Sequence, residues 1–243
     1  MSPFRIGYPE EGPMKTVERV WIGVTVAMMI LATLAVFVYA PREAKMGDVQ
    51  RIFYFHISTA WSGFLAFAVA LAGAVAYLRT RSARWDALSH AAVEVGLVLL
   101  TMAIVTGSLW ARPVWNTWWT WDPRLTTTTI TWVVYLAYLL LRGAVENPET
   151  RARFAAVYAI VAFITVPITY LSARLLRTIH PIVLGPSVSA EAQGQFGLTP
   201  RMVHTMLLSL AAWTLLFSVL LMLRYRLQRA QETIEALEAS IVD

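Results

Sequence analysis

Six long apolar stretches, separated by more polar segments, constrain this chain more than any other feature of it. They cover approximately residues 20–40, 57–78, 91–110, 127–141, 154–173 and 203–223. A bilayer's hydrocarbon core is about 30 Å thick, and a helix needs about 20 apolar residues to cross it. The fourth stretch is the shortest. The Thr126–Thr129 run beside it extends it, because threonine hydroxyls bond back onto helix carbonyls. Strand barrels need short alternating segments, and the chain has none of that pattern. The expected fold is therefore all-α, a polytopic membrane protein with six transmembrane helices. Its composition, 58% hydrophobic and 14% charged, lies far from that of a soluble domain.

Val38-Tyr39-Ala40 has the small residues of a signal-peptide cleavage site. The apolar run before it is too long for a signal core, and Pro41 follows the candidate cut. The first stretch reads as an uncleaved anchor. Six spans put both termini on one side, and Lys and Arg choose the side. The termini and even loops hold twelve: Arg5, Lys15, Arg19, Arg79, Arg81, Arg84, Arg142, Arg151, Arg153, Arg224, Arg226 and Arg229. The odd loops hold eight: Arg42, Lys45, Arg51, Arg112, Arg124, Arg174, Arg177 and Arg201. Both termini are expected in the cytoplasm, with the odd loops outside. Membrane topology accounts for the net charge of +5, which is no nucleic-acid signal. The tail Arg224–Asp243 alternates charge with Leu227, Ile234, Leu237 and Ile241, a spacing that predicts an amphipathic cytoplasmic helix. No repeat or long linker divides the chain, which reads as one membrane domain over 1–243.

Five of the ten tryptophans fall in the second outer loop: Trp110, Trp115, Trp118, Trp119 and Trp121. Pro113 suits the first turn of a short helix and Pro123 its end. On such a helix Trp115, Trp118, Trp119 and Asp122 share a face at i, i+3, i+4 and i+7, while Trp121 points elsewhere. Interfacial anchoring accounts for one or two tryptophans. Four within seven residues, joined to an Asp and an Arg, point instead to a platform for a flat, apolar, aromatic ligand.

This run resembles the "WWD" segment of the haem-handling membrane proteins of cytochrome c biogenesis, and among them the haem exporter protein C family. The family pattern is approximately Trp-Gly-x-x-Trp-x-Trp-Asp-x-Arg-Leu-Thr. Trp115, Trp118, Trp119, Trp121, Asp122, Arg124, Leu125 and Thr126 stand in its register, with Asn116 in place of glycine. A second segment, Gly47 to Trp61, is similar to the family's Gly-x-x-x-Arg-Ile-x-Tyr-x-His-Val-Pro-x-Ala-Trp. Gly47, Arg51, Ile52, Tyr54, His56, Ala60 and Trp61 match it, and Ser58 replaces the proline. His180 follows Thr178-Ile179, close to the family's Thr-Leu-His. The resemblance implies that His56 and His180 are the axial ligands of a haem iron. It also implies that the Trp segment holds the porphyrin. Counting spans brings both histidines and that segment to the outer face independently of the family.

His90 begins the third span at the cytoplasmic side and reads as a packing residue, whereas His204 starts the sixth near the outer face and competes as a ligand. Arg51, Arg112, Arg124 and Arg177, with Arg174, flank the site and suit anionic propionates, although arginines at span ends also bind lipid phosphate. Asp122 is expected either to bond a ligand histidine or to pair with Arg124. There are no cysteines, so any haem is haem b held non-covalently, and no disulfide or Cys-based zinc site is available.

The resemblance further implies delivery to a periplasmic haem chaperone from the outer face of the bacterial inner membrane. It implies association with an ABC transporter's ATPase and membrane subunits and a small single-span subunit. The chain has no phosphate-binding Gly-rich loop and reads as a haem-handling subunit, not an enzyme. Three rivals compete. A haem–apocytochrome ligase usually has more spans and histidines. A haem permease predicts polar groups inside the spans. A redox subunit with intramembrane haem needs histidine pairs within helices.

Overall fold

A computed structural model describes residues 14–181 and 198–242. Arg5 and the side chain of Ile241 lie outside that description. Seven α-helices follow one another: α1 (Thr16–Leu34), α2 (Arg51–Thr80), α3 (Ala83–Trp115), α4 (Pro123–Ala144), α5 (Pro148–Ala162), α6 (Thr165–Leu175) and α7 (Pro200–Val242). One π-helical turn, Ala35–Tyr39, continues α1, and a short 3-10 turn, Asp48–Gln50, leads into α2. Six helical stretches are long and apolar enough to cross a membrane: Thr16–Tyr39, Asp48–Thr80, Ala83–Trp115, Pro123–Ala144, Pro148–Leu175 and Pro200–Glu235. No β-strand occurs among the described residues. The protein is an all-α, multi-pass membrane protein.

The most extensive helix interface joins α2 to α3. Small residues make it possible, as is usual between membrane helices. Ala66, Ala70, Ala74 and Ala92 are fully buried, and a Cβ at Gly96 would stand 2.7 Å from the Phe67 ring. Phe67 stacks face to face on Tyr135 and carries this core across to α4.

The end of the bundle where α1 and α3 begin is knitted by ion pairs. Asp86 of α3 accepts two bonds from buried Arg142 of α4, at 2.6 and 2.9 Å. Glu94 meets Arg224 at 2.7 Å, and Glu18 meets Arg226 at 2.6 Å, tying α7 to α3 and α1. His90 lies at this end, its Nδ1 3.1 Å from Gln228 Oε1.

The fifth span is broken. Pro167 has no amide hydrogen to give the Phe163 carbonyl, and its ring crowds that oxygen. The helix interrupts between α5 and α6 at Phe163–Ile164, just before Pro167. The fourth span extends through the threonine run as expected. Thr127, Thr128, Thr129 and Thr131 each donate a hydroxyl to the carbonyl four residues back. Thr131 Oγ1 also lies 2.9 Å from Thr169 Oγ1, and Thr127 Oγ1 lies 3.1 Å from Ser172 Oγ, which binds α6 to α4.

The short Trp-rich helix between Pro113 and Pro123 does not form. Pro113 sits inside the last turn of α3, which runs on to Trp115. Asn116 stops it in the left-handed region, at φ 56°. Asparagine tolerates that conformation better than other non-glycine residues, which suits the family's glycine position. Arg112 secures the stop by donating to the Asn116 carbonyl and Oδ1 at 2.8 and 2.7 Å. Residues 117–121 are irregular, and Asp122-Pro123 starts α4 as N-cap and first residue. The common face expected for Trp115, Trp118, Trp119 and Asp122 is therefore not helical.

Candidate functional site

At the end opposite these ion pairs, a cleft opens between α2, α3 and the start of α4. Counted with its open mouth, and so with solvent space, it spans about 840 Å³. Phe53, His56, Ala60 and Phe64 of α2 form one wall. Ala103, Gly107, Trp110 and Trp115 of α3 form the second. Trp118 and Trp119 from the irregular loop, Arg124 and Thr128 of α4, and His180 with Pro181 complete it.

The two histidine rings are neighbours. Their ring centres are 6.1 Å apart and their planes are inclined by 46°. His56 Nδ1–H donates to the Ala103 carbonyl at 2.8 Å. His180 Nδ1–H donates to the Pro181 carbonyl at 3.1 Å. With both Nδ1 atoms committed as donors, each Nε2 keeps a free lone pair, the tautomer a metal requires. Burial first, then the Arg124 guanidinium and the His56 ring, hold the His180 pKa well below the usual histidine range, so its ring is neutral.

Two imidazoles on opposite sides of one metal ion have ring centres about 6 Å apart, since each metal–nitrogen bond is about 2 Å. The observed separation fits. No cluster of three or more metal-binding side chains occurs among the described residues. A tetrapyrrole brings four ligands to its metal and leaves two positions that imidazoles can take. The aromatic lining matches a flat macrocycle.

The expected site residues divide. His56, His180, Trp115, Trp118, Trp119 and Arg124 line the cleft. Arg124 also donates to the Thr169 carbonyl of α6. Trp121, 72% exposed, stands outside the lining and makes an edge contact with Trp119. Arg51 is occupied elsewhere: it donates to the Val36 carbonyl in the π-helical turn and bonds Asp48 at 3.1 Å. Arg112 fixes the Asn116 turn, and Arg177 is exposed outside the cleft lining. Asp122 neither touches a ligand histidine nor pairs with Arg124 among the described contacts. It caps α4 through Leu125 N–H at 2.9 Å and accepts from Thr178 Oγ1 at 2.6 Å and Ile179 N–H at 3.1 Å. His204, the competitor, lies outside the cleft, its Nδ1 3.2 Å from the Tyr39 hydroxyl.

Sequence reasoning missed the groups behind the histidines. Gly107 is one: a Cβ there would stand 2.8 Å from His56 Cε1 and 3.1 Å from Nδ1. The signal was a glycine one helical turn after Ala103 within an apolar span. The Ala103 carbonyl, a main-chain group, carries no sequence signal at all.

Fold and site together define a class: a multi-pass helical membrane protein with a tryptophan-walled, two-imidazole cleft at one end. The sequence model of the Heme exporter protein C family matches residues 12–240, and the chain belongs to that family. It is 30% identical over 223 residues to the "Heme exporter protein C" of Bradyrhizobium diazoefficiens, covering 90% of this chain and 83% of that protein. The protein of the same name from Rhodobacter capsulatus is 28% identical over 89% of this chain and 88% of its own length. That of Escherichia coli K12 is 26% identical, covering 85% and 81%.

Proposed function

We propose that this protein binds haem b non-covalently in the cleft, at the outer face of the bacterial inner membrane. It delivers that haem to a periplasmic chaperone for c-type cytochrome assembly. His56 and His180 hold the iron through Nε2. Trp115, Trp118 and Trp119 contact the macrocycle, and Arg124 faces its anionic groups. The bound group supplies an iron with four ring nitrogens already in place, leaving two positions for the imidazoles. The protein's own work is to bind, orient and exclude water. It acts as a haem-handling subunit beside an ABC transporter's ATPase, membrane subunits and a small single-span subunit, with lipid around its spans and both termini in the cytoplasm.

The observation that carries this reading is the pair of imidazoles whose ring centres lie 6.1 Å apart, inside an aromatic cleft. Protein purified from haem-replete cells is expected to show a low-spin haem spectrum. The spectrum disappears in His56→Ala and in His180→Ala and persists in His204→Ala. Low-spin haem retained in both of the first two variants would overturn the ligand assignment. A haem-free wild type from the same cells would overturn the function.

A further inference from the structure

We propose that Thr178 and Asp122 are positioning residues that hold His180 opposite His56, and that removing the Thr178 hydroxyl loosens His180 while His56 stays fixed. The inference rests on the haem-binding reading of the cleft and gives its two ligands unequal roles.

His56 is set in the body of the bundle. It belongs to the 30-residue α2, within the most extensive helix interface, and its ring is tied to the α3 backbone through Ala103. His180 hangs on an arm. The arm begins with α6, an 11-residue half-helix severed from α5 by the break before Pro167. Helix α6 packs chiefly on α4, through the hydroxyl pairs Thr131–Thr169 and Thr127–Ser172. From Leu176 to Pro181 the chain is not helical.

One carboxylate secures that arm. Asp122 Oδ1 caps α4, so the carboxylate is fixed in direction. Its Oδ2 accepts from the Thr178 hydroxyl at 2.6 Å and from Ile179 N–H at 3.1 Å. The same Thr178 hydroxyl accepts from His180 N–H at 3.1 Å. Thr178 is buried, 6% exposed. A single hydroxyl thus works as donor to Asp122 and acceptor from His180, relaying the position of α4 to the ligand. Because Asp122 also caps α4, Thr178 is the cleaner point of intervention.

The test uses the full chain in lipid nanodiscs, loaded with hemin. Thr178→Val keeps the shape and removes both hydrogen bonds, and Thr178→Ser keeps both. Wild type and Thr178→Ser are expected to be low-spin and six-coordinate. Thr178→Val is expected to become largely high-spin and to return to low-spin when free imidazole is added. Its hemin dissociation rate rises about tenfold, the scale of one buried hydrogen bond lost. Thr178→Val that stays low-spin, with the dissociation rate of wild type, would overturn the proposal. If wild type takes up no hemin, or His180→Ala remains six-coordinate, the ligand assignment fails instead. The positioning role is then decided in hemin-free protein. The chain has no cysteine, so a spin label on Arg177→Cys is unique, and Arg177 is exposed. Thr178→Val should raise that label's mobility, and an unchanged line shape would overturn the role.

Discussion

Adding one methyl group at Gly107 should weaken the proposed haem site without replacing either histidine. The Cβ of Gly107→Ala would lie 2.8 Å from His56 Cε1 and 3.1 Å from Nδ1, against ordinary contacts that begin at 3.4 Å. The ring must retreat by about 0.6 Å at its nearest atom. It has little room to do so, because its Nδ1–H is held by the Ala103 carbonyl of the same helix at 2.8 Å. Overpacking by a methyl group costs about 1–3 kcal/mol. If that strain falls on the bound state, haem affinity drops roughly fivefold to 150-fold, since about 1.4 kcal/mol is a factor of ten. The assay is a hemin titration of nanodisc-embedded protein followed in the Soret band. Gly23→Ala is the matched control, because nothing lies within 4 Å of a Cβ at that glycine and no change is expected there. Gly107→Ala that binds hemin with wild-type affinity and an unchanged low-spin spectrum would refute the claim that the α3 backbone sets the His56 ring.

Two further substitutions probe the scaffold, by thermal denaturation in detergent. Arg142→Met leaves Asp86 unpaired beneath the protein surface, where both partners are at most 10% exposed. It should cost about 3–5 kcal/mol and lower the melting midpoint sharply, and replacing Asp86 by Leu as well should restore most of the loss. An unchanged midpoint in the single variant would mean that this pair does not hold α3 to α4. Asn116→Val forces a β-branched residue into φ 56° and should cost about 1–2 kcal/mol, whereas Asn116→Gly keeps the turn and loses only the Oδ1 bond to Arg112. Equal midpoints for the two would remove the backbone argument for this position.

Much of the scaffold was legible because hydropathy over twenty residues is a strong signal. The threonine-rich fourth span was legible for a different reason, the capacity of Thr hydroxyls to bond their own helix. Local punctuation misled at Pro123. Asp before Pro is a start signal as well as an end signal, and here Asp122 caps a helix that begins at Pro123. The break in the fifth span follows from Pro167, which the apolar run concealed. Counting spans was enough to bring His56 and His180 to one end. It gave no access to Ala103, Gly107 or Thr178, which act on the histidines through main-chain groups, missing atoms and a single hydroxyl. Arg51 resembled a ligand contact because it sits five residues before His56. Its guanidinium instead satisfies a carbonyl left over by the π-helical turn of α1.

The order of the cleft's parts along the chain has a consequence for biosynthesis. The walls from Phe53 to Thr128 belong to three consecutive spans and the loop before the last of them, all made before the segment that carries His180. They present one imidazole. The second arrives with the segment that follows α6, after most of the polypeptide has been made. A nascent chain therefore carries a one-histidine pocket until the fifth span is in place, and the proposed grip on a tetrapyrrole is completed only then. In the proposed haem site, the sequence order of the two histidines sets the time at which a one-sided pocket becomes a two-sided one.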